Sequence, residues 1–154
     1  MPLVSAGILV YRKNPTLEVF LVHPGGPYWT KKDDGIWSIP KGQVDENEER
    51  LTAAKREFTE ETGFAVPPGN LLNLGSAEYV SKNKKVHAWA VKGDLDASAI
   101  KSMMLTIEWP PRTGKQLKFP ECDKAGWFTI PTALQKIVKG QAPLLERLAV
   151  EVGN

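Results

Sequence analysis

The sequence predicts a mixed α/β domain, either α+β or a layered helix–sheet–helix arrangement around a mixed sheet. Three observations carry this. Apolar runs rich in Val, Ile and Leu open the chain, one amphipathic helical stretch sits in its middle, and two more helical stretches close it. At 154 residues one domain, spanning 1–154, is expected. A chain of this length buries about two thirds of its unfolded surface and needs no covalent staple.

Leu3 to Tyr11 reads as a strand because aliphatic and β-branched residues dominate it. Asn14-Pro15-Thr16 turns the chain, and Leu17 to His23 returns as the next strand. Pro24-Gly25-Gly26-Pro27 breaks that strand, and a loop runs on to Gly35. Ile36 to Ile39 reads as a short strand stopped by Pro40, and Gly42 to Asn47 as polar loop. A helix is expected from about Glu48 to Thr62, with Asp45 as cap and Glu48 three residues on. Gly63 stands where a left-handed residue ends a helix, and Pro67-Pro68 forbids continuation. Leu71 to Val80 and Val86 to Val91 read as strands around a turn from Ser81 to Lys85. Met103 to Trp109 and Gln116 to Phe119 read as a hairpin around Pro110 to Gly114. Ala125 to Ile130 is the last expected strand, and Pro131 to Lys139 and Pro143 to Val150 the closing helices.

A net charge of +2 is too small to argue for nucleic acid or a membrane surface as partner. No run approaches the roughly 20 apolar residues of a membrane span. The apolar run near the start has no basic segment before it, so no targeting segment is read and a cytoplasmic location is expected by default. The single cysteine, Cys122, excludes an intrachain disulfide, fits a reducing compartment and reads as packing.

Function enters with the central helix. Arg56-Glu57-Phe58-Thr59-Glu60-Glu61-Thr62 sets three glutamates at i, i+3 and i+4. At about 100° per residue Glu60 and Glu61 flank Glu57 on one face, beside an apolar stripe of Leu51, Ala54, Phe58 and Thr62. A solvated acidic face would carry basic residues at i+4, and from Glu57 that position is Glu61. An acidic face left so unbalanced suits a hard divalent cation such as Mg²⁺ or Mn²⁺. Upstream, Pro40 ends a strand, Lys41 offers a point charge and Gly42 a tight backbone. A lysine beside a cation-binding acidic helix is what a polyphosphate needs.

Gly42 to Phe64 resembles the signature of the Nudix hydrolases. Gly42 is followed by five residues to Glu48, and seven more lead to Arg56-Glu57-Phe58-Thr59-Glu60-Glu61-Thr62-Gly63-Phe64, so every fixed position is matched without a gap. The approach from Gly35 to Lys41 also looks like that family. The resemblance implies a Nudix-type α/β/α sandwich with a loop–helix–loop catalytic motif. It also implies Mg²⁺- or Mn²⁺-dependent cleavage of a nucleoside diphosphate linked to another group, X. By it, Glu57, Glu60, Glu61 and the Gly42 carbonyl hold metal, Arg56 orients the carboxylates, Glu48 assists, and Lys41 contacts phosphate. Glu57 and Glu61 are the candidates for the proton-accepting base. Members of the family are often dimeric, so a homodimer is an expectation of the same origin.

Outside the signature, Glu121 is the candidate for a further ligand or base, with Glu108 its competitor on a strand. Tyr28, Trp29 and Trp89 could stack a nucleobase, because aromatic faces accept any base; core packing is the competing role for Trp89. His23 and His87 are the only histidines. His23 reads as structural or surface, while His87 alternates with apolar neighbours and is a candidate substrate contact. Lys31, Lys32, Lys82, Lys84 and Lys85 could draw in a polyanion.

The expected substrate is a small nucleotide or polyphosphate. Ser5 to Tyr11 looks similar to the first strand of the branches that act on diadenosine polyphosphates and diphosphoinositols, although the 103–119 hairpin matches neither branch. The alternatives are a nucleoside triphosphate or ADP-ribose pyrophosphatase and a non-catalytic nucleotide-binding domain. The last typically loses signature glutamates, and all are present here. Isopentenyl diphosphate isomerases share the fold, but one cysteine and two histidines do not supply their catalytic set.

Overall fold

The computed structural model describes residues 3–79 and 83–153; Val80, Ser81 and Lys82, expected at a strand end and in a turn, lie outside the described residues. Strand β1 (Leu3–Lys13) runs parallel to β5 (Lys84–Lys92), with Leu3 opposite Lys84 and Tyr11 opposite Lys92. Antiparallel to β5 lies β4 (Leu72–Tyr79). On the other side β1 forms a hairpin with β2 (Leu17–Pro24), which pairs antiparallel with β8 (Cys122–Thr129). The resulting order is β4-β5-β1-β2-β8.

Ala6 to Val10 of β1 are all buried, and their side chains alternate between the two faces of the sheet. Ala6, Ile8 and Val10 pack with Ala53, Ala54 and Phe58 of helix α1 (Arg50–Thr62) on one face of the sheet. Leu9 joins Leu17, Val19, Leu21, Ala88 and Ala90 on the other face, under Ala133 of α2 (Ile130–Lys136) and Leu144, Leu145 and Leu148 of α3 (Ala142–Val152). Both faces of the sheet are thus covered, and the fold is the expected α/β/α sandwich. The continuous apolar runs of β1 and β2 are the sequence mark of strands buried on both sides.

Strands β1 and β2 pair only at their hairpin end, Tyr11–Lys13 against Leu17–Val19, and then part. The stretch from Trp37 to Val44 fills the gap. Ser38 bridges to Val22 of β2, Pro40 O accepts from Ile8 N–H at 3.1 Å, and β3 (Lys41–Gln43) pairs with Ser5–Gly7 of β1. The strand expected at Ile36–Ile39 is therefore reduced to two isolated bridges, at Trp37 and Ser38, and the true strand begins at Lys41 and runs into the stretch read as loop. Its position is set by the partner rather than by local preference. A Cβ at Gly7 would lie 2.6 Å from Pro40 O and 2.7 Å from Lys41 Cβ, so only glycine admits this crossing.

Helix α1 ends as its sequence predicts: Gly63 sits at φ +79 and its N–H donates to Thr59 O at 2.8 Å. Its start differs. The cap is Glu49, without a side-chain bond, and Asp45 and Glu48 exchange their bonds in the preceding turn (Asp45 N–H to Glu48 Oε1, 2.9 Å; Glu48 N–H to Asp45 O, 3.1 Å). Strands β6 (Met104–Glu108) and β7 (Gln116–Pro120) form a separate two-stranded sheet. Such a pair is marginal alone. Trp109 braces it against Tyr28, ring centroids 4.9 Å apart. Glu108 holds its turn, accepting from the N–H of Arg112 (3.2 Å) and Gly114 (2.9 Å). Among the described residues no helix is long and apolar enough to cross a membrane.

The crossing at Gly7 yields a stability prediction. Gly7→Ala forces the segment 39–41 away from β1 and lowers the unfolding free energy by about 1–3 kcal/mol, the usual cost of overpacking. Urea denaturation checks it, and a loss under about 0.5 kcal/mol would mean that the segment backs away freely.

Candidate active site

Three separate stretches converge at the last two turns of α1. The helix presents Glu57, Glu60 and Glu61 on one face, as their spacing requires. Strand β3 runs beneath them: Glu61 Oε1 accepts from Lys41 N–H at 3.2 Å, and a Cβ at Gly42 would fall on the Glu57 carboxylate. The third stretch comes from the hairpin. Met103 N–H donates to Glu60 O, Glu121 N–H to Met103 O, and Gly25 N–H to Glu121 O, each at 2.8 Å. This ladder of backbone bonds carries Glu121 to the helix.

Carboxylate oxygens of Glu57, Glu61 and Glu121 then all lie within 4.8 Å of one another. Glu61 is only 7% exposed. Burial pushes its carboxyl well above the usual range, the Glu121 charge adds to this, and Lys41 opposes it. Glu57 is raised as well, by burial first, against the pull of Arg56. Glu60, expected as a ligand, is turned toward Arg56 Nη1 (3.2 Å) and stands outside this group of three.

Arg56 bonds to Glu48, Glu57 and Glu60 at once. Its Nε and Nη2 both donate to Glu48 at 3.0 Å, Nη1 donates to Glu57 Oε1 at 2.8 Å, and Nη2 reaches Gln43 O at 3.2 Å. The two-pronged bond from Arg56 holds Glu48 below the usual carboxylate range, and the guanidinium is itself held above its ordinary value, chiefly by Glu48.

Beside the carboxylates opens a cavity of about 440 Å³, lined by Lys41, Glu61, Glu121 and Cys122 and by Trp29, Tyr79, Lys84 and Gln141 among others. Trp29 is 40% exposed, with Lys32 Nζ 5.2 Å from its ring centroid. Cys122 is packed, as expected, yet it borders the cavity, and burial raises its thiol. Tyr28 stands against Trp109 and does not line the cavity. Neither does His87, which stacks on Trp89 at 4.1 Å between Arg50 Nη1 (3.3 Å) and Asn73 Oδ1 (2.7 Å). Burial lowers the His87 pKa, with the Arg50 charge second. Glu108 is occupied with its turn, while Glu121 lies in the group with Glu57 and Glu61.

Sequence reading did not single out Tyr79 or Gln141. Gln141 is fully buried, accepts from Ile39 N–H at 3.0 Å and donates to Ser38 Oγ at 2.9 Å and to the Tyr79 hydroxyl. Glutamine in a Lys-Gly-Gln turn carries no local signal of burial; only the chain path supplies it.

Oxygen donors of this kind suit a hard divalent cation. Crowded carboxylates, two of them pushed toward the protonated form, are the condition that such a cation relieves, and the residues present fit one.

The NUDIX domain family matches residues 1–148. Nudix hydrolase 7 of Arabidopsis thaliana is 30% identical over 112 residues, 70% of this chain and 39% of that protein. An RNA pyrophosphohydrolase of Rhizobium meliloti is 28% identical over 150 residues, 80% of this chain and 82% of that protein. The Ap4A hydrolase of C. elegans in a binary complex has the same fold, with TM-score 0.67 at 22% identity over 96% of this chain and 97% of that chain. The chain spans 39%, 31% and 25% of the length of the first three curated relatives it matches. A match from residue 1 to 148, with every fixed signature position filled between Gly42 and Phe64, makes the chain a member of the NUDIX domain family.

Proposed function

We propose that the chain is a divalent-cation-dependent pyrophosphohydrolase that splits a phosphoanhydride in a nucleoside diphosphate linked to X, with a dinucleoside polyphosphate as the leading substrate. The observation that carries this reading is the group Glu57, Glu61 and Glu121, within 4.8 Å, beside Lys41 at a cavity that also holds Lys84 and Trp29. Carboxylates alone would repel a polyphosphate, and lysines alone would bind it without cleaving it. Their pairing in one cavity supports hydrolysis.

Glu57, Glu61 and Glu121 would hold Mg²⁺ or Mn²⁺, with Glu60 next to them on the helix and the Gly42 carbonyl beneath. When bound, the cation supplies charge neutralisation and acidifies water. The chain's own residues do the rest. Lys41 and Lys84 bind phosphate oxygens, and Trp29 offers a face to the base. Glu57 or Glu61 takes the proton of the attacking water as the new P–O bond forms and the bridging P–O bond breaks. Arg56 touches no substrate in this scheme; it keeps Glu48 and Glu57 in position. The relatives act on dinucleoside polyphosphates and on RNA by their names, and both classes of anhydride belong in the test.

Two outcomes are expected. In Mg²⁺-dependent turnover against diadenosine polyphosphates, ADP-ribose, nucleoside triphosphates, nucleotide sugars and 5′-triphosphorylated RNA, one class stands clearly above the others. Glu61→Gln lowers its turnover by about 10²–10⁴-fold, the range for a positioned carboxylate. Binding without turnover, equal in both proteins, would make the chain a binding domain instead.

The second expectation concerns pH. Glu61 and Glu57 have raised pKa values, so their contribution to stability in the cation-free protein is complete below the ordinary value of 4.5 and is lost as pH rises through the raised values. Cation binding needs the ionised carboxylates, so its stabilising effect grows over the same window. Thermal unfolding is followed from about pH 5 to about pH 9, the span over which buried glutamates titrate. The melting temperature should fall across it without Mg²⁺, and the Mg²⁺ increment should widen with pH. Glu61→Gln flattens both. Parallel pH curves for the two proteins would remove buried Glu61 as the cause.

A further inference from the structure

One buried histidine has no part in the scheme above. Strands β2 and β8 pair regularly from Glu18–Thr129 to His23–Lys124, and then the register shifts so that Pro24 faces Cys122. Asp123 is the extra residue of this bulge. Its Oδ1 lies 2.7 Å from His23 Nδ1. His23 is fully buried, edge-on to Trp37 with ring centroids 5.1 Å apart. Its Nε2 donates to Lys32 O at 2.6 Å, since a carbonyl can only accept.

A single imidazole therefore ties together two stretches that are distant in sequence. One is the loop at 25–35, which carries Trp29 into the cavity. The other is the bulge that leads back to Cys122 and Glu121. Gly25 N–H, bonded to Glu121 O at 2.8 Å, closes the circuit. Bulges re-aim side chains beside functional sites, and this one lies two residues from Glu121.

We propose that His23 is a positioning residue: it clamps the Asp123 bulge, which sets Glu121 toward Glu57 and Glu61, and the same ring holds the Trp29 loop. A ring bonded at both nitrogens cannot slide without leaving a buried polar atom unpaired. The position of a cation ligand and that of a substrate wall are thereby coupled. The consequence for cation binding rests on the proposed function; the clamp itself is a property of the free protein.

Amide hydrogen exchange without metal tests the clamp. In His23→Phe the amides of Gly25, Lys32 and Glu121 exchange about tenfold faster or more, while Leu9 in the central strand stays protected. In Asp123→Ala only Gly25 and Glu121 accelerate. Asp123→Asn, which keeps an oxygen toward Nδ1, stays near wild type. If His23→Phe does not fold, the two Asp123 variants carry the test. Unchanged exchange at Gly25 and Glu121 in Asp123→Ala overturns the clamp, as does a uniform acceleration that includes Leu9. Titration with Mn²⁺ alone tests the consequence: affinity falls about 10–100-fold in Asp123→Ala, the range for groups that orient ligands. Loosened amides with wild-type Mn²⁺ affinity overturn the coupling. A wild-type protein that takes up no Mn²⁺ counts against the proposed hydrolase, and exchange then decides the clamp by itself.

Discussion

Like charges held together in partly buried ground are the constraint around which the rest of this molecule is arranged. At separations up to 4.8 Å, any two of Glu57, Glu61 and Glu121 that are both ionised repel by about 3.5 kcal/mol or more at an effective dielectric near 20. A chain of marginal stability tolerates this only with specific offsets. Two are visible. Arg56 leans on Glu57 and Glu60 while anchored by Glu48, and Lys41 lends its backbone N–H and its charge to Glu61. Burial and the repulsion that remains keep the carboxyls of Glu61 and Glu57 raised, and a divalent cation would relieve both.

The fold's irregularities follow from the need to bring these groups together. Helix α1 can supply carboxylates from one face only, so the lysine and Glu121 must arrive from elsewhere. Lys41 arrives because β1 and β2 part beyond their hairpin and admit β3, at a crossing that Gly7 keeps narrow. Glu121 arrives because residue 103 forms backbone bonds to both Glu60 and Glu121, which turns the base of the β6–β7 hairpin into a bracket on the helix. The hairpin, which in sequence matches neither of the two branches considered, is thus part of the site's support as well as its surroundings.

What can be read from the sequence is what depends on neighbours along the chain. The carboxylate face of α1, its glycine stop and the strands of the main sheet follow from spacing and propensity. The candidacy of Glu121 rests on family resemblance, and geometry favours it over Glu108. What cannot be read depends on partners far away. Residues 41–43 form a strand only because β1 lies beside them, whereas apolar Ile36–Ile39, the better strand by composition, meets just two isolated bridges. Asp45 looks like a cap, but Arg56 draws Glu48 into the approach loop, and the helix begins at Arg50. His87 alternates correctly for the cleft, yet the side of the sheet it faces holds Arg50 and Asn73 rather than the cavity.

The same division separates what membership of the family carries from what the cavity walls decide. The candidate site groups come largely from one continuous stretch, Lys41 to Glu61, whose internal geometry is set by a helix and its flanking turn. Cavity walls come from Trp29, Tyr79, Lys84, Glu121 and Gln141, in segments that meet only in the folded chain. Each wall has its own fastening: His23 for the Trp29 loop, Gln141 for Tyr79, and the residue 103 bracket for Glu121. Substitutions in those fastenings can move a wall without touching a candidate site group. Specificity can therefore drift among chains whose signature is unchanged, and the substrate has to be sought in the packing behind the walls.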